Sequence, residues 1–226
     1  MTNLKVIILV TFLAYCYSLC SQTTFNQHGK EYVDSCDQWN TSKNGKFSIS
    51  DLKDLRLQNI LKSFFTLDDT DTTASNYFID YPCNHCENTA AYMKINNGLA
   101  KGYEINLKVK PFNISNHIIK YKDAANICQI DNKGFWGVDT ELPKEEISEL
   151  TVKYYNKAIF INPNQYNDLF NPYLTLDNWC HLRALMDKKG EYFFVCLNGS
   201  EYGLTYVVVW IFRKDQYIGR VVNYLG

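Results

Sequence analysis

The sequence predicts a mainly β protein: a single antiparallel up-and-down β-barrel with a short N-terminal helix and a short C-terminal helix. Two apolar runs, residues 192–197 and 204–212, are rich in Val, Ile, Tyr, Phe and Trp, and a Gly- and Asn-bearing spacer typical of a hairpin separates them. Residues 103–110 alternate apolar and polar side chains, the period of a half-buried strand. Short strand-like runs with turn signals recur from residue 76 onward, which favours a barrel or sandwich over βαβ units.

The first residues have the layout of a secretory signal peptide. Lys5 precedes an apolar run over residues 6–17, and small or slim residues follow it. The run is short for a membrane anchor, which needs about 20 apolar residues. We therefore predict a signal peptide over residues 1–20, an irregular arm over 21–47 and one β-barrel domain over 48–226. The protein would be secreted or lie in the lumen of the secretory pathway, with no integral membrane span after leader removal.

The charge balance argues against nucleic acid as a partner. The chain has 23 basic and 24 acidic residues, and loss of Lys5 with the leader leaves 22 basic residues and a formal charge of −2. Such a chain has no basic surplus with which to neutralise phosphates. Aromatic residues make up 15% of the chain, more than a disordered segment carries, so the sequence predicts a packed core.

The first part of the domain predicts one helix and then strands. Ser48 or Ser50 can cap a helix with acidic residues in its first turn and an apolar face that ends at Phe64. The pattern changes to a strand over residues 62–67, and residues 68–75 form a predicted loop. Further strands are predicted over residues 77–81, 90–95, 103–110, 117–121, 126–130, 135–138, 147–154, 158–161 and 179–186, with a long loop over 162–177.

Beyond Arg213 the pattern favours a short helix. Asp215 can cap it, and apolar residues then recur at helical spacing: Ile218, Val221, Val222 and Leu225. Gly219 and the adjacent valines favour a strand instead. Of the two, we predict the helix.

The leader, the capped helix, the antiparallel strands and the basic residue at the end of the last predicted strand resemble the lipocalin superfamily. In that family a basic residue at this position packs over an aromatic ring from the first strand. The resemblance therefore implies that Arg213 covers Trp39 or Phe64, and that the barrel holds a ligand cavity. The family's N-terminal Gly-x-Trp is absent here, and Lys62-Ser63-Phe64 is the nearest equivalent.

Short segments between residues 64 and 214 are also similar to the barrel of the violaxanthin de-epoxidase family. They are Asp80-Tyr-Pro-Cys83, Asp177-Asn-Trp179, Glu191-Tyr-Phe-Phe-Val and Val209-Trp-Ile-Phe-Arg213. The Cys-rich N-terminal domain and the acidic C-terminal tail of that family have no counterpart. This resemblance implies the barrel and its cavity, and it makes Asp80 the first residue to test for de-epoxidase chemistry.

Six cysteines remain once the leader is removed, which predicts up to three disulfides in an oxidising compartment. The sequence does not select the pairing of these disulfide candidates, which are Cys36, Cys83, Cys86, Cys128, Cys180 and Cys196. Three sequons are candidate glycosylation sites, at Asn40, Asn113 and Asn198, and the last of them lies in the predicted hairpin loop.

The sharpest local motif is Cys83-Asn84-His85-Cys86. This spacing, with a histidine between the cysteines, is typical of thiol–disulfide exchange sites, in which a nearby imidazolium lowers the thiol pKa. A thioredoxin-like site would need residues 87–93 to be helical. A zinc site would need a second pair of ligands, and Cys180 and His181 are adjacent on a predicted strand and point to opposite faces. We favour structural disulfides and predict no metal and no cofactor.

Motifs for hydrolysis are missing from the sequence, which has neither a Gly-x-Ser-x-Gly elbow nor a His-Glu-x-x-His helix. His117 and His181 fall on predicted strands, where a lone histidine is usually structural. We expect the acidic run around Pro143 to be a solvated loop. Its members are Asp139, Glu141, Glu145, Glu146 and Glu149.

Aromatic residues on the predicted strands give the strongest functional signal, because they could line a barrel that is wide enough for one small ligand. We expect a secreted, lipocalin-like, non-catalytic protein that binds a small hydrophobic molecule. Two alternatives stay open: a redox enzyme that uses Cys83 and Cys86 or Asp80, and a structural or interaction module with a filled barrel. The lumen candidates are Tyr103, Trp136, Trp179, Tyr192, Phe194, Tyr206, Trp210 and Phe212.

Overall fold

A computed structural model describes residues 53–65, 78–83, 85–124, 126–138, 141–176, 179–199 and 205–225, together with two short strands at 24–25 and 31–32. The predicted signal peptide lies outside these residues, as do Ser48, Ser50, Cys36, Trp39 and Asn40. In the described part of the chain, no helix has the length and apolar character needed to cross a membrane.

Within these ranges the chain forms one helix, α1 (Leu55–Phe65), and sixteen strands. The strands are β1 (Thr24–Phe25), β2 (Glu31–Tyr32), β3 (Phe78–Tyr81), β4 (His85–Glu87), β5 (Ala90–Lys94), β6 (Tyr103–Pro111), β7 (Ile119–Tyr121), β8 (Ile127–Ile130), β9 (Glu145–Tyr154), β10 (Lys157–Ile159), β11 (Thr175–Leu176), β12 (Trp179–Cys180), β13 (Leu182–Asp187), β14 (Phe193–Gly199), β15 (Thr205–Arg213) and β16 (Gln216–Leu225). Two 3₁₀ turns lie at Ile114–Asn116 and Pro163–Gln165.

Two five-stranded antiparallel sheets dominate the fold. Sheet I has the strand order β10-β9-β6-β5-β4, and sheet II has the order β16-β15-β14-β13-β3. A smaller sheet, β1-β2-β7-β8, contains one parallel pair, β2–β7, and β11 pairs with β12 as a short hairpin. The prediction of a mainly β, antiparallel fold is confirmed.

The two large sheets pack face to face through one apolar core. Tyr103 of sheet I stacks on Phe193 of sheet II with 3.8 Å between ring centroids. The predicted closed up-and-down barrel is wrong for the described strands, because β10 and β16 are terminal strands of two separate sheets. β3 pairs with β13 of sheet II, and the chain then passes through Pro82, which has no N–H for a ladder, to β4 at the edge of sheet I.

α1 covers the outer face of sheet II. Leu57, Ile60 and Leu61 recur at helical spacing and join a second core with residues of β14, β15 and β16. Asp54 caps the helix, because its carboxylate accepts hydrogen bonds from the backbone N–H groups of Arg56 at 2.9 Å and of Leu57 at 3.1 Å.

This placement corrects the predicted helix. Its cap is Asp54 rather than Ser48 or Ser50, and residues 62–65 continue the helix instead of starting a strand. The last turn stays helical because the preceding apolar face is already docked on sheet II, so tertiary packing overrides the strand-like pattern of the local sequence.

The predicted hairpin is confirmed, since β14 pairs with β15 from Phe193↔Phe212 to Gly199↔Tyr206. β13 also pairs with β14, across a turn that contains Gly190 with φ of +69°. β15 is not the last strand, however. It lies inside sheet II, with β14 on one side and β16 on the other.

The predicted C-terminal helix is therefore wrong, because Gln216–Leu225 forms β16. Val208 pairs with Val222, and Val209 pairs with Val221. Valine packs well on a pleated surface, and β16 satisfies the backbone groups along an edge of β15 that a helix would leave unpaired.

Two other predicted strands also differ. The strand predicted over residues 117–121 begins at Ile119, after a 3₁₀ turn, and residues 135–138 contribute only an isolated bridge at Trp136. Residues 87–93 run from β4 through a turn into β5, so the motif of Cys83 and Cys86 lacks the helix that a thioredoxin-like site needs.

Candidate functional site

Five of the predicted lumen residues do lie between the two sheets. All five are at most 5% exposed and belong to one core: Tyr103, Trp136, Tyr206, Trp210 and Phe212. The three lumen candidates of β15 share one parity, and that parity faces the space between the sheets.

Tyr192 and Phe194 were assigned to the wrong face. Both belong to the core beneath α1 on the outside of sheet II. The register explains the error: Phe193 pairs directly with Phe212, and directly paired residues share a face, so Phe193 rather than Phe194 points between the sheets. Trp179 lies on β12, outside both large sheets, and its side chain is not among those described.

Aromatic rings pack closely in the space between the sheets, and the polar groups of Trp210, Tyr206 and Tyr103 are hydrogen-bonded there. The Trp210 indole N–H donates to the carbonyl oxygen of Gln165 at 2.9 Å, and the Tyr206 hydroxyl donates to that of Phe170 at 3.1 Å. The Tyr103 hydroxyl donates to the carbonyl oxygen of Lys214 at 2.8 Å. These groups fix the rings to the surrounding backbone and leave none of these three polar groups to orient a ligand.

A buried ion pair closes one end of this core. Arg220 of β16 is fully buried and lies 2.7 Å from Asp168. Its guanidinium also donates to the carbonyl oxygen of Gln165 at 2.8 Å. The pair therefore ties the segment after β10 to the last strand of sheet II.

Arg213 lies over an aromatic ring of sheet II, that of Tyr192. Its guanidinium carbon is 5.8 Å from the centroid of the Tyr192 ring, and Tyr192 immediately precedes the first residue of β14. Trp39 lies outside the described residues. Phe64 belongs to α1, and its side chain is not described.

The described cysteines are of two kinds, bonded and free. Cys86 bonds to Cys180, and Cys128 is also disulfide-bonded. Cys83 and Cys196 are free thiols, which corrects their assignment as disulfide candidates. Cys196 is buried beneath α1, and burial raises its pKa, so it behaves as a small apolar side chain.

Cys83 lies beside the Cys86–Cys180 disulfide. The three sulfur atoms are all within 4.8 Å of one another. The Cys83 thiol donates to the carbonyl oxygen of His85 at 3.1 Å, and burial raises its pKa. A raised pKa lowers the thiolate fraction at neutral pH, in contrast to the activated cysteines of dedicated exchange enzymes.

Asp80, the residue implied by the de-epoxidase resemblance, lies on β3 at the edge of sheet II. Its carboxylate is exposed and forms an ion pair with Arg183 of the neighbouring strand. It is therefore directed to solvent and not into the core between the sheets.

The two described sequons differ in setting. Asn113 is exposed and caps the first 3₁₀ turn, where its side chain accepts a hydrogen bond from the backbone N–H of Ser115 at 3.0 Å. Asn198 is half-buried within β14, opposite Val207, and not in the hairpin loop as predicted.

A histidine held by two acidic residues was not predicted from the sequence. His117 has Nδ1 at 2.8 Å from the carboxylate of Asp131 and Nε2 at 3.1 Å from that of Glu146. Phe112 stacks on the ring at 4.5 Å. Because both ring nitrogens face carboxylates, the imidazole joins two chain segments and offers no nitrogen to a substrate. Glu146 is buried at the start of β9, so the expectation of a solvated acidic loop is wrong there.

The outer face of sheet I, opposite the apolar core, carries mostly polar side chains. Cross-strand pairing arranges its side chains in three rows across β5, β6 and β9. The rows are Lys94–Glu104–Lys153, Tyr92–Asn106–Thr151 and Ala90–Lys108–Glu149. The alternating pattern of β6 predicted a half-buried strand, but no sequence pattern indicated which other strands would complete this surface.

A groove of about 490 Å³ runs over this face. It is lined by Tyr92, Glu104, Ile105, Asn106, Glu149, Thr151 and Lys153. The middle row forms a neutral floor of one phenol, one amide and one hydroxyl group, and the rows on either side carry charge. We call this feature the sheet I groove.

Ion pairs hold the charged rims in place. Lys94 lies 2.7 Å from Glu104, and Lys108 lies 2.8 Å from Glu149, whose other oxygen accepts a hydrogen bond from Thr151 at 3.0 Å. The bonds from Lys108 and Thr151 lower the pKa of Glu149. Lys153 has no ion-pair partner among the described residues, so its ammonium group is available at the rim of the groove.

Comparison with known proteins gives no relative. The chain matches no protein-family model, no curated protein and no solved structure.

Proposed function

We propose that this chain is a secreted, non-catalytic binding module that holds a small hydroxylated molecule, of the carbohydrate class, in the sheet I groove. The observation that carries this proposal is the groove itself: about 490 Å³ on the solvent face of a sheet whose opposite face is fully packed. Its volume falls within the range of about 300–1,000 Å³ typical of small-molecule sites.

The chemistry of the floor favours a ligand with many hydroxyl groups. Asn106 offers both a donor and an acceptor, and Thr151 and Tyr92 each offer a hydroxyl group. Tyr92 is 39% exposed, so its ring can also contact the apolar face of a sugar. Glu104 and Lys153 add charged hydrogen-bonding groups at one rim.

Other interpretations have less support from the geometry. The lipocalin-like carrier of a small hydrophobic molecule stays a prediction, but five of its proposed lumen side chains are packed in the core between the sheets. A dedicated exchange enzyme is disfavoured by the raised pKa of Cys83 and by the strand that follows Cys86. Asp80 faces solvent in an ion pair with Arg183, away from any core cavity.

Calorimetric titration with a panel of mono- and oligosaccharides tests the proposal. Asn106→Ala removes a direct contact, and we expect it to weaken binding about tenfold, which corresponds to about 1.4 kcal/mol. Asn116→Ala is the matched control, because Asn116 is exposed on a 3₁₀ turn away from the groove. Equal binding by the two variants, or binding of a fatty acid in place of any saccharide, would contradict the proposal.

A further inference from the structure

Three cysteines from two distant parts of the chain meet at one edge of sheet I. Cys83 lies in the connection between β3 and β4, Cys86 lies in the middle of β4, and Cys180 ends β12. The Cys86–Cys180 bond spans 94 residues of sequence. Their three sulfur atoms lie within 4.8 Å of one another, although one disulfide can use only two of them.

The third sulfur is positioned to replace one of the other two. Cys83 is close to Cys86 in sequence, and its sulfur lies within 4.8 Å of the Cys180 sulfur. The sulfur of Cys86 also lies 3.1 Å from the carbonyl oxygen of Leu174. That oxygen would accept a hydrogen bond from a Cys86 thiol as soon as the thiol was released.

We propose that Cys83, Cys86 and Cys180 form a thiol–disulfide exchange centre in which the disulfide moves between Cys86–Cys180 and Cys83–Cys180. Cys83 loses its proton to solvent, and its thiolate attacks the sulfur of Cys180. The Cys86–Cys180 bond breaks as the Cys83–Cys180 bond forms. Cys86 leaves with the electron pair and takes a proton from solvent, so one disulfide and one thiol are present before and after, and no oxidant is consumed.

Exchange changes which residue links the edge of sheet I to β12. In one form Cys86 ties β4 itself to β12, whereas in the other the bond starts from the connection before β4. The Cys83 sulfur also lies 3.6 Å from the carbonyl oxygen of Tyr92 in β5, so the centre is in contact with two strands of the sheet. Metal binding has less support, because the close group of potential ligand atoms holds only these three sulfurs among the described residues.

Mapping of the disulfides in the full-length oxidised protein tests this proposal. Protein is incubated at neutral and mildly alkaline pH, quenched with acid, alkylated with N-ethylmaleimide and digested without reduction. Fragment spectra then locate the alkylated cysteine. We expect two isomers, one alkylated at Cys83 and the other at Cys86, with Cys180 oxidised in both. Alkylation at Cys83 alone, at all times and at both pH values, would overturn the proposal.

Two variants provide an independent test. In Cys86→Ser we expect Cys83 and Cys180 to bond to each other, so that neither is alkylated after denaturation. Alkylation of both would show that Cys83 cannot take the place of Cys86. Cys196→Ser is the matched control, because that buried thiol lies on the other face of sheet II, and its loss should leave the two isomers of the exchange centre in the same ratio.

Discussion

Sheets I and II have the same number of strands and the same antiparallel pairing, but they differ in how many faces they bury. In β14 and β15 of sheet II, residues of both parities are buried, one set against sheet I and the other beneath α1. In β6 of sheet I, buried residues alternate with half-buried and exposed ones. Within the described residues, sheet II is therefore packed on both faces, whereas sheet I exposes polar side chains on its outer face.

The difference in burial between the sheets also explains where their polar side chains lie. A polar group on either face of sheet II must be paired, as Arg220 is paired with Asp168, because an unpaired buried charge is costly. Polar groups on the outer face of sheet I are half-buried or exposed, so they do not need a buried partner.

The two faces of sheet II should be equally sensitive to truncation. Phe193 and Phe194 are adjacent, are at most 1% exposed and point to opposite faces. We expect Phe193→Ala and Phe194→Ala each to lower the free energy of unfolding by about 4 kcal/mol, because each leaves a large cavity. Urea denaturation followed by tryptophan fluorescence measures both. A cost below about 1 kcal/mol for Phe194→Ala would show that α1 does not cover this face.

Breaking the buried ion pair should have the next largest effect. We expect Arg220→Met to lower the free energy of unfolding by about 3 kcal/mol, because it leaves the carboxylate of Asp168 buried without its charge partner. The double variant Arg220→Met/Asp168→Leu is the control, and it should recover most of the lost stability. If the double variant is no more stable than the single one, packing rather than charge is responsible.

The attachment of α1 should depend on Asp54 and on pH. Asp54→Ala removes the helix cap, and we expect a loss of about 1 kcal/mol in the free energy of unfolding. The hydrogen bonds from the Tyr192 hydroxyl and from the Leu57 N–H lower the pKa of Asp54 below its ordinary value of 3.8. Because the folded-state pKa is the lower one, this stabilisation is present above about pH 4 and is lost as the pH falls through the folded-state pKa.

Denaturation curves between pH 3 and pH 6 check this dependence. Asp54→Asn keeps an oxygen acceptor but cannot ionise, so its stability should fall less on acidification than that of the wild type. An identical acid profile for the two proteins would contradict the assigned role of Asp54.

The outer face of sheet I should be almost indifferent to truncation. We expect Asn106→Ala to change the free energy of unfolding by less than about 0.5 kcal/mol, because its side chain is only half-buried. Ile105→Ala, one residue away on the packed face, should cost about 3 kcal/mol. Similar costs for the two variants, measured by urea denaturation, would mean that sheet I is covered on both faces.

Local sequence was sufficient for elements with an unambiguous pattern. The hairpin of β14 and β15 was predicted because two β-rich runs flank a Gly- and Asn-bearing spacer, and β6 was predicted by its period of two. The face of β14 was not predictable in the same way. Tyr192, Phe193 and Phe194 are consecutive aromatics, so both parities look apolar, and only the register with β15 separates them.

Elements whose state depends on distant partners were predicted wrongly. In residues 216–225 the apolar residues recur at helical spacing, but the adjacent valines favour a strand. The segment forms a strand because it pairs with the edge of β15. The end of α1 is decided by the surface of sheet II. The candidate site could be predicted only in part for the same reason. The strand β6 was predicted from its alternating pattern, but the row that Asn106 forms with Tyr92 and Thr151 depends on the pairing of β6 with β5 and β9.

Native mass spectrometry with competing ligands tests whether the space between the sheets is filled and whether the ligand binds outside it, in the sheet I groove. The protein is incubated with a mixture of oligosaccharides and a long-chain fatty acid, and bound masses are recorded for the wild type, Asn106→Ala and Asn116→Ala. We predict a saccharide mass on the wild type and on Asn116→Ala, much reduced on Asn106→Ala, and no fatty acid on any of them. A fatty acid bound one to one would contradict a filled core between the sheets. An equal saccharide mass on all three proteins would contradict binding in the sheet I groove.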